Sequence, residues 1–369
     1  MRILVAPDKF KGSLSAGAVA ETIATGIRRS LPDAEIELLP IADGGEGTAE
    51  AIQLARGGEW IDCAVHDALG RPITARYVWL ADSAGVVMEM SAAAGLSQLA
   101  PDERDPTRAT TFGVGEMLRD AIRRSAREII MGIGGSATND GGFGMARALG
   151  FRFLDRANVE IAENVTALLE LDRIEMPDDF KLPAIVAASD VTNPLLGPEG
   201  ATRTFGPQKG AGVDQIETLE RSLQRLAQVA ARSLGRDFRK MPGAGAAGGL
   251  GFGLLTFCNA TIRSGFEVVA EAIGLREKIA WSQIVITGEG KLDEQTLAGK
   301  GPAGLAQMAR AAGKRVFAIV GQAPNESKAR SLFEQVVTLD DTSAGYRETP
   351  RLLENKARAL AQSWRPPPH

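Results

Sequence analysis

The segment from residue 8 to residue 15 is the first part of the sequence with groups suited to chemistry. It follows an apolar run and offers a carboxylate, two ammonium groups and a hydroxyl: Asp8, Lys9, Lys11 and Ser13. Ser15 is placed to cap the helix that is predicted next. Lysines beside a helix N-terminus suit an anionic group, because the free N–H groups there attract negative charge. The alternative interpretation is an ordinary solvated turn.

A second loop, residues 134–142, concentrates small hydrogen-bonding groups after another apolar run. Its candidate binding residues are Gly134, Gly135, Ser136, Thr138, Asn139 and Asp140. Hydroxyls, an amide, a carboxylate and backbone N–H groups fit around a phosphate or a small hydroxy acid. A structural turn is the alternative, although a turn seldom needs all of these groups.

Carboxylates are the candidates for acid–base chemistry. The sequence has two histidines and two cysteines, which nearly excludes a Ser-His-Asp triad or a multi-histidine zinc site. Asp43, Asp190 and Asp293 follow strand-like or glycine-rich segments. An aspartate could bind Mg²⁺ or take a proton from a hydroxyl. Each could equally be a helix cap or an Asx turn.

Two further loops carry cations. Arg203 and Lys209 lie in a segment predicted to be irregular and could clamp a carboxylate or phosphate, or be solvated. Glu289 and Lys291 follow an apolar run and precede Asp293. These residues complete the set of candidate binding groups.

The common nucleotide fingerprints are missing or misplaced. The sequence has no G-x-x-x-x-G-K-[ST] and no protein-kinase H-R-D set. One G-x-G-x-x-G occurs at Gly243, Gly245 and Gly248, but no strand-like run precedes it. It therefore fails the context that a dinucleotide fingerprint requires. Close packing through small residues is the alternative.

An apolar run, a Gly/Asp/Ser loop and a helical pattern recur along the chain, which predicts an α/β doubly wound fold. Ligands are expected at the carboxyl ends of its parallel strands. Residues 59–92 instead predict antiparallel strands. We therefore predict two domains. The first is a discontinuous Rossmann-like parallel-sheet domain of residues 1–57, 111–193 and 276–369. The second is an inserted, distinct α/β domain of residues 58–110 and 194–275.

Composition excludes several classes of protein. The net charge of −4 over 369 residues argues against general nucleic-acid binding. No run of 18 apolar residues predicts a membrane span, and Pro7 and Asp8 interrupt any signal-peptide core. Two cysteines without a CxxC suit a reducing compartment. We expect a cytoplasmic protein with no membrane or nucleic-acid partner.

Six motifs in order together resemble the bacterial type-1 glycerate kinases. They are APDKFKGSL (6–14), ADGGEGT (42–48), GIGGSATNDGG (132–142), SDVTNPL (189–195), FGPQKGA (205–211) and TGEGKLD (287–293). The resemblance implies phosphorylation of D-glycerate by ATP with Mg²⁺, with 2-phosphoglycerate favoured over 3-phosphoglycerate as product. It also implies two domains with the active site in the cleft, and glycerate and ATP as small-molecule partners. We expect a monomer or homodimer.

The residue roles rest mainly on chemistry. We expect Asp8, Lys9, Asp43 and Asp190 to be catalytic, and Asp190 or Asp293 to bind Mg²⁺. The remaining candidates named above bind substrate or phosphate, with Arg203 or Lys209 pairing with the substrate carboxylate. Two alternative functions are a nucleotide-cofactor oxidoreductase and a non-catalytic glycerate-responsive regulator.

Overall fold

The computed structural model describes residues 1–178, 180–292, 301–324, 328–339 and 348–364. The chain divides into two compact units that are both discontinuous in sequence. Unit 1 comprises Met1–Asp43, Glu50–Gly57 and the chain from Gly265 onward, whereas unit 2 comprises Gly44–Ala49 and Gly58–Ser264.

Unit 1 is built on a five-stranded parallel sheet. Its strands are β1 (Arg2–Val5), β2 (Glu35–Leu38), β11 (Ile284–Lys291), β12 (Arg315–Gln322) and β13 (Gln335–Thr338), in the order β13-β12-β11-β1-β2. In the centre, Ile3 lies opposite both Ile284 and Ile36. The apolar residues of β1 are fully buried, as expected for a parallel strand covered by helices on both faces.

Helices cover this sheet. They are α1 (Ala16–Ser30), α2 (Thr48–Arg56), α9 (Gly265–Ala272), α10 (Leu275–Trp281), α11 (Gly301–Ala311) and α12 (Thr349–Gln362). Ser15 caps α1 by accepting a hydrogen bond from the N–H of Ala18. α1 and α12 pack so closely that a Cβ on Gly26 would lie 2.3 Å from the carbonyl oxygen of Glu354. Only glycine permits that approach without displacing the α12 backbone.

Unit 2 contains a six-stranded mixed sheet and a small antiparallel pair. The strands of the large sheet are β3 (Glu59–His66), β4 (Pro72–Leu80), β5 (Gly85–Glu89), β6 (Glu128–Gly132), β9 (Ala184–Ala188) and β10 (Thr261–Arg263), in the order β10-β9-β6-β5-β4-β3. The pair is β7 (Arg152–Leu154) with β8 (Arg173–Glu175). The strands from β10 to β5 are parallel, and β4 and β3 are antiparallel.

Six helices surround this sheet. They are α3 (Ser91–Ala94), α4 (Phe112–Arg123), α5 (Phe143–Ala148), α6 (Ala201–Phe205), α7 (Val213–Leu234) and α8 (Ala246–Cys258). α4 and α7 bury the apolar faces that their periodicity predicts, including Val114 and Met117 in α4 and Leu219 and Leu223 in α7. Among the described residues, no helix combines the length and the apolar character needed to cross a bilayer.

The predicted fold class, with a Rossmann-like parallel sheet and antiparallel strands in residues 59–92, is confirmed. The division into units differs from the predicted boundaries. Residues 111–193 lie in unit 2, because β6 and β9 continue the sheet that begins with β3, β4 and β5. Residues 265–275 lie in unit 1. Parallel strands therefore occur in both units, whereas the sequence pattern predicts them in one domain.

Candidate active site

The predicted site residues form two groups, one in each unit. The unit 1 edge consists of residues after β1 and β2 and at the end of β11: Asp8, Lys9, Lys11, Ser13, Asp43, Glu289 and Lys291. The unit 2 loop is residues 134–142, which follow β6. Asp293 lies outside the described residues.

The strand order of unit 1 places its topological switch point between β1 and β11. The chain proceeds from β1 to β2 on one side and from β11 to β12 and β13 on the other. Asp8 directly follows β1, and its N–H donates a 2.8 Å hydrogen bond to the carbonyl oxygen of Gly288 in β11. Ligands of doubly wound sheets bind in the crevice at such a point, so Asp8 lies where a ligand is expected.

Asp8 has the most perturbed carboxyl of the unit 1 edge. Its pKa is raised to about 6, mainly by desolvation and to a smaller extent by the carboxylate of Asp43, while the ammonium of Lys9 opposes the shift. The N–H of Lys9 also donates to Asp8 Oδ1 over 2.6 Å. A carboxylate that remains ionised at neutral pH but binds a proton readily is suited to act as a general base.

The turn after Asp8 presents the other polar groups of the segment. Phe10 and Leu14 pair across it, and the N–H of Ser13 donates to the carbonyl oxygen of Phe10. Lys11 is exposed on this turn. The buried hydroxyl oxygen of Ser13 has no hydrogen-bond partner among the described residues. A buried hydroxyl without a partner is costly, so a ligand that bonded to Ser13 would recover that cost.

The unit 2 loop is closely packed against neighbouring backbone. The N–H of Gly134 donates to the carbonyl oxygen of Gly44, and a Cβ on Gly134 would lie 2.7 Å from Gly45 Cα. Gly135 has a φ of +75°, and its carbonyl oxygen accepts from the N–H of Leu96. The glycines therefore allow this crossing of chain segments, and the Gly134 N–H is already used.

Asp140 is buried in unit 2 and accepts four hydrogen bonds from residues of the same unit. Its carboxylate is 1% exposed and accepts hydrogen bonds from the N–H and hydroxyl of Thr111, both over 2.8 Å. It also accepts from the N–H groups of Gly142 and Gly144. Burial raises the pKa of Asp140, and these four hydrogen bonds favour the ionised form. The geometry assigns Asp140 to holding the loop against α4 and α5.

Lys209 reaches the same loop from outside it. The residue is 2% exposed, and its Nζ donates to Ser136 Oγ over 2.7 Å and to the carbonyl oxygen of Thr138 over 2.6 Å. Burial lowers the pKa of Lys209 to about 7, and the charge of Asp140 opposes the shift. Because Ser136 Oγ accepts from Lys209, the hydroxyl proton of Ser136 remains available to another acceptor.

Thr138 and Asn139 are completely buried beside this contact. Asn139 Nδ2 donates to Thr202 Oγ1 over 3.0 Å. Asn139 Oδ1 and Thr138 Oγ1 have no hydrogen-bond partners among the described residues. The structure therefore brings the predicted residues Ser136, Thr138 and Asn139 together with Lys209.

The remaining predicted residues of unit 2 have separate surroundings. Asp190 follows β9 and accepts a 2.8 Å hydrogen bond from the hydroxyl of Ser264, which follows the adjacent β10. Arg203 is exposed and forms a 2.8 Å ion pair with Glu217. Asp190 is therefore at the carboxyl edge of the sheet, whereas Arg203 is on the solvated surface of α6.

The misplaced G-x-G-x-x-G serves packing. A Cβ on Gly248 would lie 1.9 Å from the carbonyl oxygen of Thr138, and one on Gly245 would lie 2.2 Å from that of Pro194. Gly248 also has a φ of +65°. These contacts favour the close-packing interpretation over a nucleotide fingerprint.

A Mg²⁺ ion bound by the described residues would have at most two carboxylate, imidazole or thiolate ligands from the protein. No group of three or more His, Cys, Asp or Glu side chains among them could hold a metal ion. Mg²⁺ often binds one or two carboxylates together with substrate phosphates and water. Asp190, which follows the parallel strand β9 of the mixed sheet, is consistent with that mode.

Sequence reasoning missed two residues in unit 2. Glu89, at the end of β5, accepts hydrogen bonds from the N–H groups of Gly47 and Ala49. Arg104 has a half-buried side chain whose Nε is buried and has no hydrogen-bond partner among the described residues. The glutamate ends an apolar run, which is a signal that could have found it. Arg104 stands between two acidic residues and resembles an ordinary charged turn.

The two carboxyl edges, with their carboxylates and cations, define an α/β enzyme of the doubly wound type. The glycerate kinase family model matches residues 3–365, and the chain belongs to that family. It is similar to the glycerate kinase of Bacillus subtilis strain 168, with 41% identity over 98% of this chain and 97% of that protein. The glycerate 2-kinase of Escherichia coli strain K12 is 40% identical over 98% of each chain.

A solved structure shares the fold. The crystal structure of a "putative glycerate kinase 2" from Salmonella typhimurium LT2 matches with a TM-score of 0.86 and 40% sequence identity. The match covers 98% of both chains. The resemblance found in the six sequence motifs is confirmed, and the chain is an enzyme of the kinase type.

Proposed function

We propose that the chain transfers the γ-phosphoryl group of ATP to D-glycerate and forms 2-phosphoglycerate. The observation that carries this proposal is Asp8, a half-buried carboxyl of raised pKa beside Lys9 at the switch point of a parallel sheet. The name of the Escherichia coli relative, glycerate 2-kinase, supports 2-phosphoglycerate rather than 3-phosphoglycerate.

Asp8 is the proposed general base. Phosphoryl transfer depends mainly on positioning and on electrostatic stabilisation, and a carboxylate that accepts the proton of the attacking hydroxyl is a recurring part. In this proposal Asp8 accepts the proton of the glycerate hydroxyl as the oxygen attacks phosphorus. Asp43, which shifts the pKa of Asp8 upward, increases the basicity of Asp8.

The cations and hydroxyls near Asp8 are proposed to hold phosphate groups. Lys9 and Lys11 supply positive charge, and the buried Ser13 hydroxyl has unused hydrogen-bonding capacity. Glu289 and Lys291, at the end of β11, border the same switch point. Positive charge close to a transferring phosphoryl group stabilises the charge that develops on its oxygens.

Asp190 is the residue proposed to hold Mg²⁺, with Asp293 as a second carboxylate. When bound, Mg²⁺ neutralises charge on the β- and γ-phosphates. The hydroxyl of Ser264 donates to Asp190 Oδ1 and so fixes the carboxylate at the end of β9.

The unit 2 loop is proposed to contact glycerate through Ser136. Lys209 donates to Ser136 Oγ and so directs the proton of that hydroxyl away from itself. Lys209 therefore positions Ser136. Arg203 is less suited to the substrate carboxylate, because it is exposed and already paired with Glu217. The cytoplasmic location and the oligomeric state, monomer or homodimer, stay predictions from the sequence.

A coupled ADP-release assay with D-glycerate, ATP and Mg²⁺ tests the proposal. We expect ADP release that depends on glycerate, and ³¹P NMR of the product should show phosphorus coupled to the single proton on C2. Coupling to two protons on C3 would assign 3-phosphoglycerate instead. Absence of release above the ATP-only blank, with folded protein and several hydroxy acids, would reject the kinase. NAD(P)H titration would then test the oxidoreductase alternative.

A further inference from the structure

Arg104 is a cation that the proposed mechanism does not use. Its side chain is half-buried, and its Nε is buried with no hydrogen-bond partner among the described residues. The guanidinium group also forms no hydrogen bond or ion pair with any other described residue. Burying a charged donor without an acceptor is costly, so this arrangement indicates a group made to meet an anion.

The residues on either side of Arg104 are acidic, yet both are engaged elsewhere. Glu103 accepts a 2.6 Å hydrogen bond from Arg71 Nη1 and another from the N–H of Ala100. Asp105 accepts from the N–H and the hydroxyl of Thr107. These contacts fix the backbone around Arg104 and engage the carboxylates of its two sequence neighbours. The guanidinium is thus held on an ordered segment and left available.

The backbone of Arg104 lies beside Gly210, the residue that follows Lys209. Gly210 has a φ of +96°, and a Cβ placed on it would lie 2.2 Å from the carbonyl oxygen of Arg104. Gly210 directly follows Lys209, whose Nζ donates to Ser136. The backbone of Arg104 therefore packs against the segment from which Lys209 extends its side chain to Ser136.

We propose that Arg104 binds the carboxylate of glycerate. The inference rests on the proposed function, since it identifies the anion recognised near Ser136. A guanidinium presents parallel N–H groups that match the two oxygens of a carboxylate. In this proposal the hydroxyl of Ser136, which Lys209 orients, bonds to another oxygen of the same hydroxy acid. Phosphate groups already have proposed partners in Lys9, Lys11 and Ser13 of the unit 1 edge.

Steady-state kinetics of Arg104→Ala and Arg104→Lys test this role. We expect Arg104→Ala to raise the KM for D-glycerate at least about 30-fold, because a buried charge pair is lost. The KM for ATP should stay within about 2-fold of the wild-type value, because the substitution removes no proposed contact with ATP. The KM of Arg104→Lys for D-glycerate should lie between those of the wild type and Arg104→Ala. An ammonium keeps the positive charge but lacks the paired N–H groups of a guanidinium. Added guanidinium should partly restore Arg104→Ala. Arg108→Ala is the matched control, as Arg108 is exposed four residues later.

Glycerate binding without ATP gives a second readout. D-glycerate should raise the Tm of the wild-type chain and of Arg108→Ala, but not that of folded Arg104→Ala, because only a bound ligand stabilises the native state. An unchanged KM for glycerate in Arg104→Ala, or a rise confined to the KM for ATP, would overturn the inference. If wild type binds glycerate without turnover, the proposed kinase fails, and the Tm shift alone still decides the role of Arg104.

Discussion

The unit 1 edge and the unit 2 loop have the same sequence pattern but use their polar groups differently. At the unit 1 edge, Asp8 keeps a raised pKa beside charged neighbours at a sheet switch point. In the unit 2 loop, Asp140 accepts four hydrogen bonds from neighbouring residues of the same unit. Lys209, from outside the loop, donates hydrogen bonds to Ser136 and Thr138. The contrast suits the proposed division of roles, in which Asp8 acts on the substrate, whereas Asp140 and Lys209 stabilise the unit 2 loop that carries Ser136.

The strongest test of this contrast is Asp8→Asn. If Asp8 is the general base, turnover should fall at least about 100-fold, which is the usual effect of losing acid–base catalysis. The kcat/KM of the wild type should also decline below about pH 6, because the base becomes protonated there. The assay is glycerate-dependent ADP release across pH. Asp33→Asn, at an exposed position of unit 1, is the control. Near-normal turnover in Asp8→Asn would remove Asp8 from the mechanism.

Asp140→Ala should affect stability more than any surface change in unit 2. Removing the carboxylate leaves the buried donors of Thr111, Gly142 and Gly144 without an acceptor, which we expect to cost about 3 kcal/mol. Urea unfolding followed by fluorescence measures the loss. Asp62→Ala, at an exposed position on β3, should change stability by less than about 0.5 kcal/mol. Equal stabilities for the two variants would contradict the structural role of Asp140.

Lys209 should make stability depend on pH. Its folded-state pKa lies below its ordinary value, so between about pH 7 and about pH 10 the unfolded chain binds a proton that the folded chain lacks. Wild-type stability should therefore rise with pH across that window, by roughly 1 to 2 kcal/mol relative to Lys209→Met. Urea unfolding at several pH values checks the slope. Lys181→Met, at an exposed position, should retain the wild-type slope.

Asp8→Asn should also change the free energy of unfolding. The expected gain in stability is the smallest of the predicted effects. The raised pKa means that ionised Asp8 destabilises the fold, and this cost grows from about pH 4 to about pH 6 and is complete above it. We expect the variant to be more stable than wild type by about 1 kcal/mol near pH 8 and equal to it near pH 4. Thermal unfolding at both pH values measures the difference. A variant less stable at about pH 8 would show that Asp8 is a structural carboxylate.

The elements of the fold were predictable because local patterns determine them. The continuous apolar run of β1 and the β-rich runs of β3 and β4 indicated parallel and antiparallel strands. The domain boundaries were harder to predict, because they depend on which strands pair over long distances in the sequence. β6 has the same local pattern as the strands of unit 1, and only its long-range pairing with β5 and β9 places it in unit 2.

The site was predictable in its residue types but not in its contacts. The sequence pointed to Asp8 and to Ser136 from their positions after apolar runs. It gave no means of separating Lys209, which is buried against the loop, from Arg203, which is solvated and paired. No pattern in the sequence singles out Arg104, since the contacts of its acidic neighbours with Arg71 and Thr107 are visible only in the structure.

The discontinuity of unit 1 has a consequence for how the chain acquires its structure during synthesis. Val5 pairs with Leu38 soon after both are made, but its other neighbour, Ile286, emerges only after the whole of unit 2. The hydroxyl of Ser30 in α1 donates to the carbonyl oxygen of Arg358, a residue that is synthesised later still. Domains tend to fold as they leave the ribosome. Unit 2 can therefore be complete while the first strand of unit 1 still has one open edge, which is the period when the growing chain is most exposed to wrong pairing.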